Sequence, residues 1–242
     1  MSDARPRAAF STTRWTTVNA AGHESAAGAA AALAELCEIY WPPLYSYLRN
    51  RGHRPEEAQD LTQGFFARLL ETNAIRSADP TRGRFRAFLL TALKRYVINE
   101  YERGAAARRG GHHLHFTPDF EEAERTYSSD RRDDDTPERL FDRKWASIAL
   151  DRALCRLREE YEQAGKGSIA HGLLPYLTDT GGLPSYRTVA AELQLTEGAV
   201  KVAVHRLRQR YGAILRLEIA ETVVDPHEIE AEMRELLRAV ST

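Results

Sequence analysis

The stretch Ser185–Tyr211, SYRTVAAELQLTEGAVKVAVHRLRQRY, has the pattern of two short helices joined by a tight turn. In its first half, Val189, Ala190 and Leu193 are apolar at helical spacing, which defines one buried face. The turn follows directly, and its Leu195 is expected to fill the core between the two helices. The pattern therefore predicts a compact helical hairpin in this part of the chain.

The second helix of this hairpin is expected to begin after Thr196, a residue type that caps helix N-termini. It places Val200, Val204 and Leu207 on one side and mainly basic residues on the other. Two short helices with a tight turn and a basic second helix are typical of a helix-turn-helix that enters the major groove of DNA. The same pattern also fits a helical hairpin of the core whose basic face is merely solvated.

Two more helices are predicted upstream of the hairpin. Pro55 opens the first, with acidic residues in its first turn, where they favour the helix dipole. A loop over residues 73–84 separates it from a second helix over residues 85–101. Before both, an apolar helix pattern is expected to be interrupted at Pro42–Pro43.

The composition changes at Gly104, where the chain becomes rich in Gly, Arg and His and then in Asp. This predicts a flexible acidic linker over residues 104–136. Thr136, followed by proline, is expected to cap the next helix, and a last amphipathic helix is expected over Asp225–Val240.

No strand pattern of convincing length appears, so the predicted fold is all-α: two small helical domains joined by a long linker. The expected segments are an N-terminal extension 1–30, a first domain 31–103, the linker 104–136, a second domain 137–220 and a C-terminal extension 221–242.

Composition and motifs exclude several classes of function. The formal net charge of -1 argues against indiscriminate nucleic-acid binding, and the absence of an apolar run or signal pattern predicts a cytoplasmic protein without membrane contact. Cys37 and Cys155 are expected to be buried thiols. His112, His113 and His115 lie in the linker without metal-ligand spacing, so no metal, cofactor or catalytic residue is predicted.

The stretch Tyr186–Arg210 resembles region 4 of bacterial sigma factors, where the pattern Y-x-x-I/V-A-x-x-L-x-x-S/T-x-G-x-V-K-x-x-x-x-R-x-R recurs. Upstream, Glu57–Phe65 (EAQDLTQGF) resembles the region-2 helix motif D-A-E-D-L-V-Q-E-x-F, and Gly83–Leu89 (GRFRAFL) resembles the following G-x-F-R-A-W-L element. The order of these motifs and the single linker between them resemble the extracytoplasmic-function group of the sigma-70 family.

The resemblance implies a protein without catalytic chemistry that binds core RNA polymerase and promoter DNA. The region-2 helix is expected to meet the clamp helices of the beta-prime subunit through Glu57, Asp60, Thr62, Gln63 and Phe65. The residues expected to contact the minus-ten element are Arg82, Arg84, Arg86, Lys94, Arg95, Asn99, Tyr101 and Arg103.

Region 4 is expected to read the minus-thirty-five element and to sit on the beta-subunit flap. Its expected DNA contacts are Tyr186, Thr196, Glu197, Lys201, His205, Arg206 and Arg208. The acidic linker is expected either to occupy the polymerase channel or to be a solvated tether.

The region-2 motif departs from the pattern, because Gln59 and Gly64 stand at usually acidic positions. Thr62 lies between them, and a phosphate there would add about -1.5 to -2 charge. We therefore expect control by a Ser/Thr kinase at Thr62; the alternatives are an unmodified threonine and control by an anti-sigma factor. The rival functions are a stand-alone helix-turn-helix regulator and an adaptor that binds polymerase without directing transcription.

Overall fold

The computed structural model describes residues 26–72, 74–77, 84–104, 119–130, 132, 135–178, 181–220, 222–223 and 226–241. Every regular element within these ranges is a helix, which confirms the all-α prediction. None of the helices in these ranges is long and apolar enough to cross a membrane. Arg82, the linker histidines and the 1–25 part of the N-terminal extension lie outside the described residues.

The α-helices are numbered here in chain order. They are α1 Ala26–Asn50, α2 Pro55–Glu71, α3 Phe85–Gly104, α4 Phe120–Asp130, α5 Pro137–Gln163, α6 Gly167–Leu173, α7 Pro175–Thr178, α8 Tyr186–Glu192, α9 Glu197–Ala220 and α10 Ile229–Ser241. Short 3₁₀ turns cover Ala74–Ser77 and Pro226–Glu228.

The chain divides into two compact units, Met1–Ile148 with Ile219–Thr242, and Ala149–Glu218. These bounds differ from the expected domains, because the first half of α5 is packed into the first unit. Leu140 and Phe141 are fully buried there, and the ammonium of Lys94 on α3 lies 2.7 Å from the Glu138 carboxylate.

The core of the first unit contains a cluster of aromatic side chains. The indole of Trp41 stacks on the ring of Phe66 at 6.2 Å and meets the ring of Phe120 edge-on at 5.3 Å. Tyr40 meets Phe85 edge-on at 5.5 Å. These contacts join α1 to α2, α3 and α4, and each buried aromatic side chain contributes about 1.5–3 kcal/mol of hydrophobic stabilisation.

The expected break at Pro42–Pro43 is wrong, because α1 runs through both prolines. Proline removes a helical N–H donor, which normally interrupts a helix. Here the side chains on both sides of the prolines, including Trp41 and Leu44, are buried, so packing maintains the helix through this point.

The expected flexible linker is wrong for its described second half, since α4 forms within it. The Glu124 carboxylate accepts hydrogen bonds from the Arg49 guanidinium at 2.7 and 2.8 Å and from the Tyr45 hydroxyl at 2.5 Å. Asp135 pairs with Arg143 of α5 at 2.9 Å. The acidic composition of this segment therefore provides partners for buried cations of the first unit.

The second unit contains the predicted hairpin as α8 and α9. Val200, Val204 and Leu207 are buried, as the sequence predicts. The prediction for Leu195 is wrong: its side chain is 37% exposed, because the turn points it outward. Gln194 adopts the left-handed conformation with φ 55°, which reverses the chain in this short turn.

Candidate polymerase- and DNA-binding surfaces

The exposed face of α2 carries the acidic residues expected to meet polymerase. Asp60 is exposed and Gln63 is half-buried. The Glu57 carboxylate is exposed and accepts a hydrogen bond from the Tyr101 hydroxyl at 2.9 Å. It also lies 3.1 Å from His53 Nδ1. The hydrogen bond from His53, followed by that from Tyr101, lowers the pKa of Glu57 and favours its negative charge.

The opposite face of α2 is core, and it includes two of the residues expected to bind polymerase. Phe65 is 2% exposed, with its ring packed against Phe66 and Tyr96. Thr62 is fully buried, and its hydroxyl donates to the Ala58 carbonyl at 2.6 Å. The expected direct contact of Phe65 and Thr62 with a partner is therefore corrected: both lie on the inward stripe of the helix.

Burial also bears on Thr62 as a modification site. A kinase cannot reach the Thr62 hydroxyl while α2 is packed as described. A phosphate at this position would carry charge into an apolar environment, which is strongly unfavourable. Modification therefore requires that α2 opens locally.

Gly64 stands at a usually acidic position, and the packing around it explains why a side chain is absent there. A Cβ at this position would overlap the Tyr96 hydroxyl oxygen of α3. Glycine thus leaves room for the Tyr96 hydroxyl against α2, which any side chain at this position would have to displace.

Three cations expected at the minus-ten element are occupied by carboxylates of the first unit. Lys94 pairs with Glu138 of α5. The Arg84 guanidinium lies 2.6 Å from the Glu232 carboxylate, and the Arg86 Nε lies 3.2 Å from Asp142. Arg86 is almost completely buried, so the expectation that it contacts DNA directly is corrected for this conformation.

The outward face of α3 presents a different set of side chains. Arg95 and Asn99 are exposed there, together with Ile98, whose side chain is 58% exposed. The Arg103 guanidinium is exposed and pairs with Glu100 at 2.6 Å. Ile98 was missed by the sequence analysis, although its spacing from Lys94 and Arg95 already indicates the same face.

In the second unit, two caps define the ends of the helical hairpin. The Ser185 hydroxyl accepts the N–H of Thr188 at 3.1 Å, and the Thr196 hydroxyl accepts the N–H of Ala199 at 3.1 Å. The Thr196 cap was predicted; the Ser185 cap was not, although serine is a common capping residue.

The exposed face of α9 carries most of the residues expected to contact DNA. Lys201 pairs with Glu197 at 2.9 Å on the surface, and its ammonium lies 5.7 Å from the Tyr186 ring centroid. His205 and Arg206 are also exposed on this helix. These side chains form one cationic surface along the second helix of the hairpin.

Arg208 differs from its neighbours because part of it points into the unit. Its guanidinium donates to the Tyr176 carbonyl at 3.1 Å, and the Tyr176 ring stacks on Tyr186 at 5.1 Å. The Tyr176 hydroxyl in turn donates to the Pro184 carbonyl at 2.6 Å. Arg208 therefore ties α9 to the segment that precedes the hairpin, a role the sequence does not indicate.

Residues 36–107 match the family model described as Sigma-70 region 2. The match spans α1 from residue 36 onward, all of α2 and α3, and the residues between these helices. Comparisons with curated proteins and with solved structures found no significant match. Over these residues the chain is similar to sigma-70 region 2, and this match supports the sigma-70 family.

Proposed function

We propose that this protein is a sigma factor that binds core RNA polymerase and directs promoter recognition, DNA melting and transcription initiation. The observation that carries the proposal is the Sigma-70 region 2 match over residues 36–107. A helix-turn-helix with an exposed cationic helix downstream supports the two-domain, extracytoplasmic-function arrangement. This function belongs in the cytoplasm, where the polymerase is.

The polymerase-binding surface in this proposal is the exposed side of α2. Glu57 and Asp60 are both exposed. The negative field of these two carboxylates suits the basic clamp helices of the beta-prime subunit, to which the family resemblance assigns this helix. Gln63 lies beside them and adds a neutral hydrogen-bonding group.

The promoter-melting surface in this proposal is the outward face of α3. Arg95 supplies a cation for the strand backbone, Asn99 supplies donor and acceptor groups, and Ile98 supplies apolar surface for an unstacked base. These are the groups that capture of single-stranded DNA requires, and all three are exposed.

The minus-thirty-five element is assigned to α9. Lys201, His205 and Arg206 present donors along one side of the helix that follows the turn. This is the position from which a helix-turn-helix contacts phosphates and guanine edges in the major groove. The beta-subunit flap is the proposed second partner of this unit.

The direct test is binding of the purified full chain to core RNA polymerase, followed by transcription from a library of promoter fragments. Asp60→Lys is expected to weaken polymerase binding at least about tenfold, since a like charge would face the basic clamp. Glu121→Lys is the matched control, because it makes the same charge change at an exposed position on α4. If the wild type does not bind polymerase but retains specific duplex DNA, the stand-alone regulator replaces this proposal.

Control by phosphorylation of Thr62 is proposed in a restricted form. The phosphorylated side chain must leave the core, so modification would loosen the packing of α2 as well as add negative charge near Asp60. Binding of polymerase is expected to increase in Thr62→Glu and to stay at the wild-type level in Thr62→Val, which keeps the shape of the side chain. If Thr62→Glu lowers both the unfolding temperature and polymerase binding, the kinase switch is excluded, and an anti-sigma partner becomes the better explanation of control.

A further inference from the structure

The C-terminal helix α10 covers the start of α3, where two arginines expected to bind DNA are found. Glu232 of α10 pairs with both Arg84 and Arg86. One turn later, Glu235 also pairs with both guanidinium groups. Asp142 of α5 adds a third carboxylate at 3.2 Å from Arg86 Nε. Two cations thus face three carboxylates, so the guanidinium groups of both Arg84 and Arg86 are engaged within the first unit.

Burial shows that this cluster is an organised contact. The Glu232 side chain is 0% exposed and the Arg86 side chain is 9% exposed. The Arg86 guanidinium lies 4.5 Å from the Trp145 ring centroid, which sandwiches it between an aromatic face and acidic groups. Met233 and Leu236 of α10 are buried beside these acidic residues. The buried apolar side chains of α10 therefore fix the orientation in which its carboxylates contact the two arginines.

The same cluster has the properties of an exchangeable contact. Burying a carboxylate against a guanidinium has a desolvation cost that offsets much of the attraction, so the pair gains little over a state in which undocking of α10 returns both groups to water. A phosphate is an equally good bidentate partner for arginine. A cavity of about 240 Å³ lies next to the ion pairs, and its lining includes Arg139, Arg143 and Arg238 beside Arg86 and Glu235. These further cations favour the approach of an anion to the cluster.

We propose that α10 is an intramolecular competitor of single-stranded promoter DNA for Arg84 and Arg86. This inference rests on the proposed function, because it extends the promoter-melting surface from the outward face of α3 to the two arginines at the start of that helix. While α10 is docked, its carboxylates occupy the two guanidinium groups; when α10 is released, the groups become available to strand phosphates. Release of α10 is thus a step that precedes or accompanies DNA melting.

The test compares the full-length wild type with Glu232→Gln/Glu235→Gln, which removes both charges and preserves side-chain size. The probe is a short fluorescein-labelled single-stranded DNA of random sequence, titrated by anisotropy at several salt concentrations. The variant is expected to bind about tenfold more tightly, within the range usual for coupled sites. Its salt slope should steepen by about 1.4, because each phosphate neutralised on a single strand contributes ~0.7.

Two further variants separate competition from a general change in charge. Glu228→Gln/Glu230→Gln makes the same charge change at exposed positions of the same terminal segment, and it should leave the DNA affinity near that of the wild type. Adding Arg84→Gln/Arg86→Gln to the Glu232→Gln/Glu235→Gln variant should abolish the gain. If both double glutamine variants gain affinity equally, or if neither does, the competition is refuted.

Hydrogen exchange in the wild type provides a readout that does not depend on a variant folding correctly. Saturating the protein with the single-stranded DNA should accelerate amide exchange in α10, and the exchange rate in α9 should not increase. Unchanged protection of α10 in the DNA-bound protein overturns the inference. These measurements use the chain alone, so a negative result would refute the competition by α10 and leave the proposed function untouched. A failure to bind polymerase would instead refute the proposed function.

Discussion

Gly64 provides a test of packing between α2 and α3. In an open helix, Gly→Ala stabilises by about 0.8–1 kcal/mol. Here the added Cβ would overlap the Tyr96 hydroxyl oxygen, so we expect Gly64→Ala to lower the free energy of unfolding by about 1 kcal/mol or more. Combined with Tyr96→Phe, which removes that oxygen, Gly64→Ala should become much less harmful. Chemical denaturation of the two single variants and the double variant checks this; stabilisation by Gly64→Ala alone would contradict it.

Arg206 and Arg208 are two arginines of α9 that lie two positions apart and have different expected roles. Arg206→Met should reduce the salt slope of duplex binding by about 0.9, the contribution of one phosphate, and leave thermal stability unchanged. Arg208→Met removes the hydrogen bond to the Tyr176 carbonyl, so it should lower the unfolding temperature and preserve the slope. Fluorescence anisotropy in a salt series and thermal unfolding give both quantities. Equal slope changes in the two variants would assign Arg208 to DNA contact.

Glu124 makes the charged contact between α4 and α1, which makes the docking of this helix sensitive to pH. The hydrogen bond from Arg49, followed by that from Tyr45, keeps the pKa of Glu124 below its ordinary value. A lowered folded-state pKa means that the stabilisation is present above the unfolded-state pKa and is lost as the pH falls through the folded-state pKa.

We therefore expect Glu124→Gln to lower the free energy of unfolding by about 1 kcal/mol near neutral pH. The difference from wild type should shrink as the pH falls from the ordinary carboxyl pKa through the lower folded-state pKa, since the wild-type carboxylate loses its charge over that range. Denaturant unfolding over a pH series measures this, with the exposed Glu121→Gln on the same helix as control. A pH-independent difference would exclude the ion pair as its cause.

The formal net charge of -1 over the 242 residues predicts weak binding of DNA by the chain alone. Local cationic surfaces on α3 and α9 are offset by carboxylates elsewhere, so the free chain lacks the broad positive field of a strong DNA-binding protein. At physiological ionic strength, ~0.15 M, we expect the chain alone to retain little duplex DNA and the complex with core polymerase to retain promoter DNA stably. Gel-shift assays with chain, polymerase and both together decide this. Stable, sequence-specific retention by the chain alone would favour an independent regulator.

Much of the local structure was predictable from the sequence. The period of apolar residues identified the helical class and the buried positions Val200, Val204 and Leu207, and the residue type of Thr196 identified the helix cap. Such features depend on side chains within a few positions of one another. The same reasoning predicted which residues of α9 lie on its outward side, because a helix repeats at a fixed angle.

The sequence by itself therefore determined most of the helices, the buried face of the helical hairpin and the resemblance to sigma-factor motifs. Only the tertiary structure decided which cations remain open to a partner, since Arg49 is paired with Glu124 and Arg86 with Glu232, far away in the chain. It likewise decided that Thr62 is buried and that an acidic stretch of the expected linker folds as α4. The physical reason is that periodicity shows which side of a helix is buried or exposed, whereas the packing of distant segments decides which side chain lies opposite.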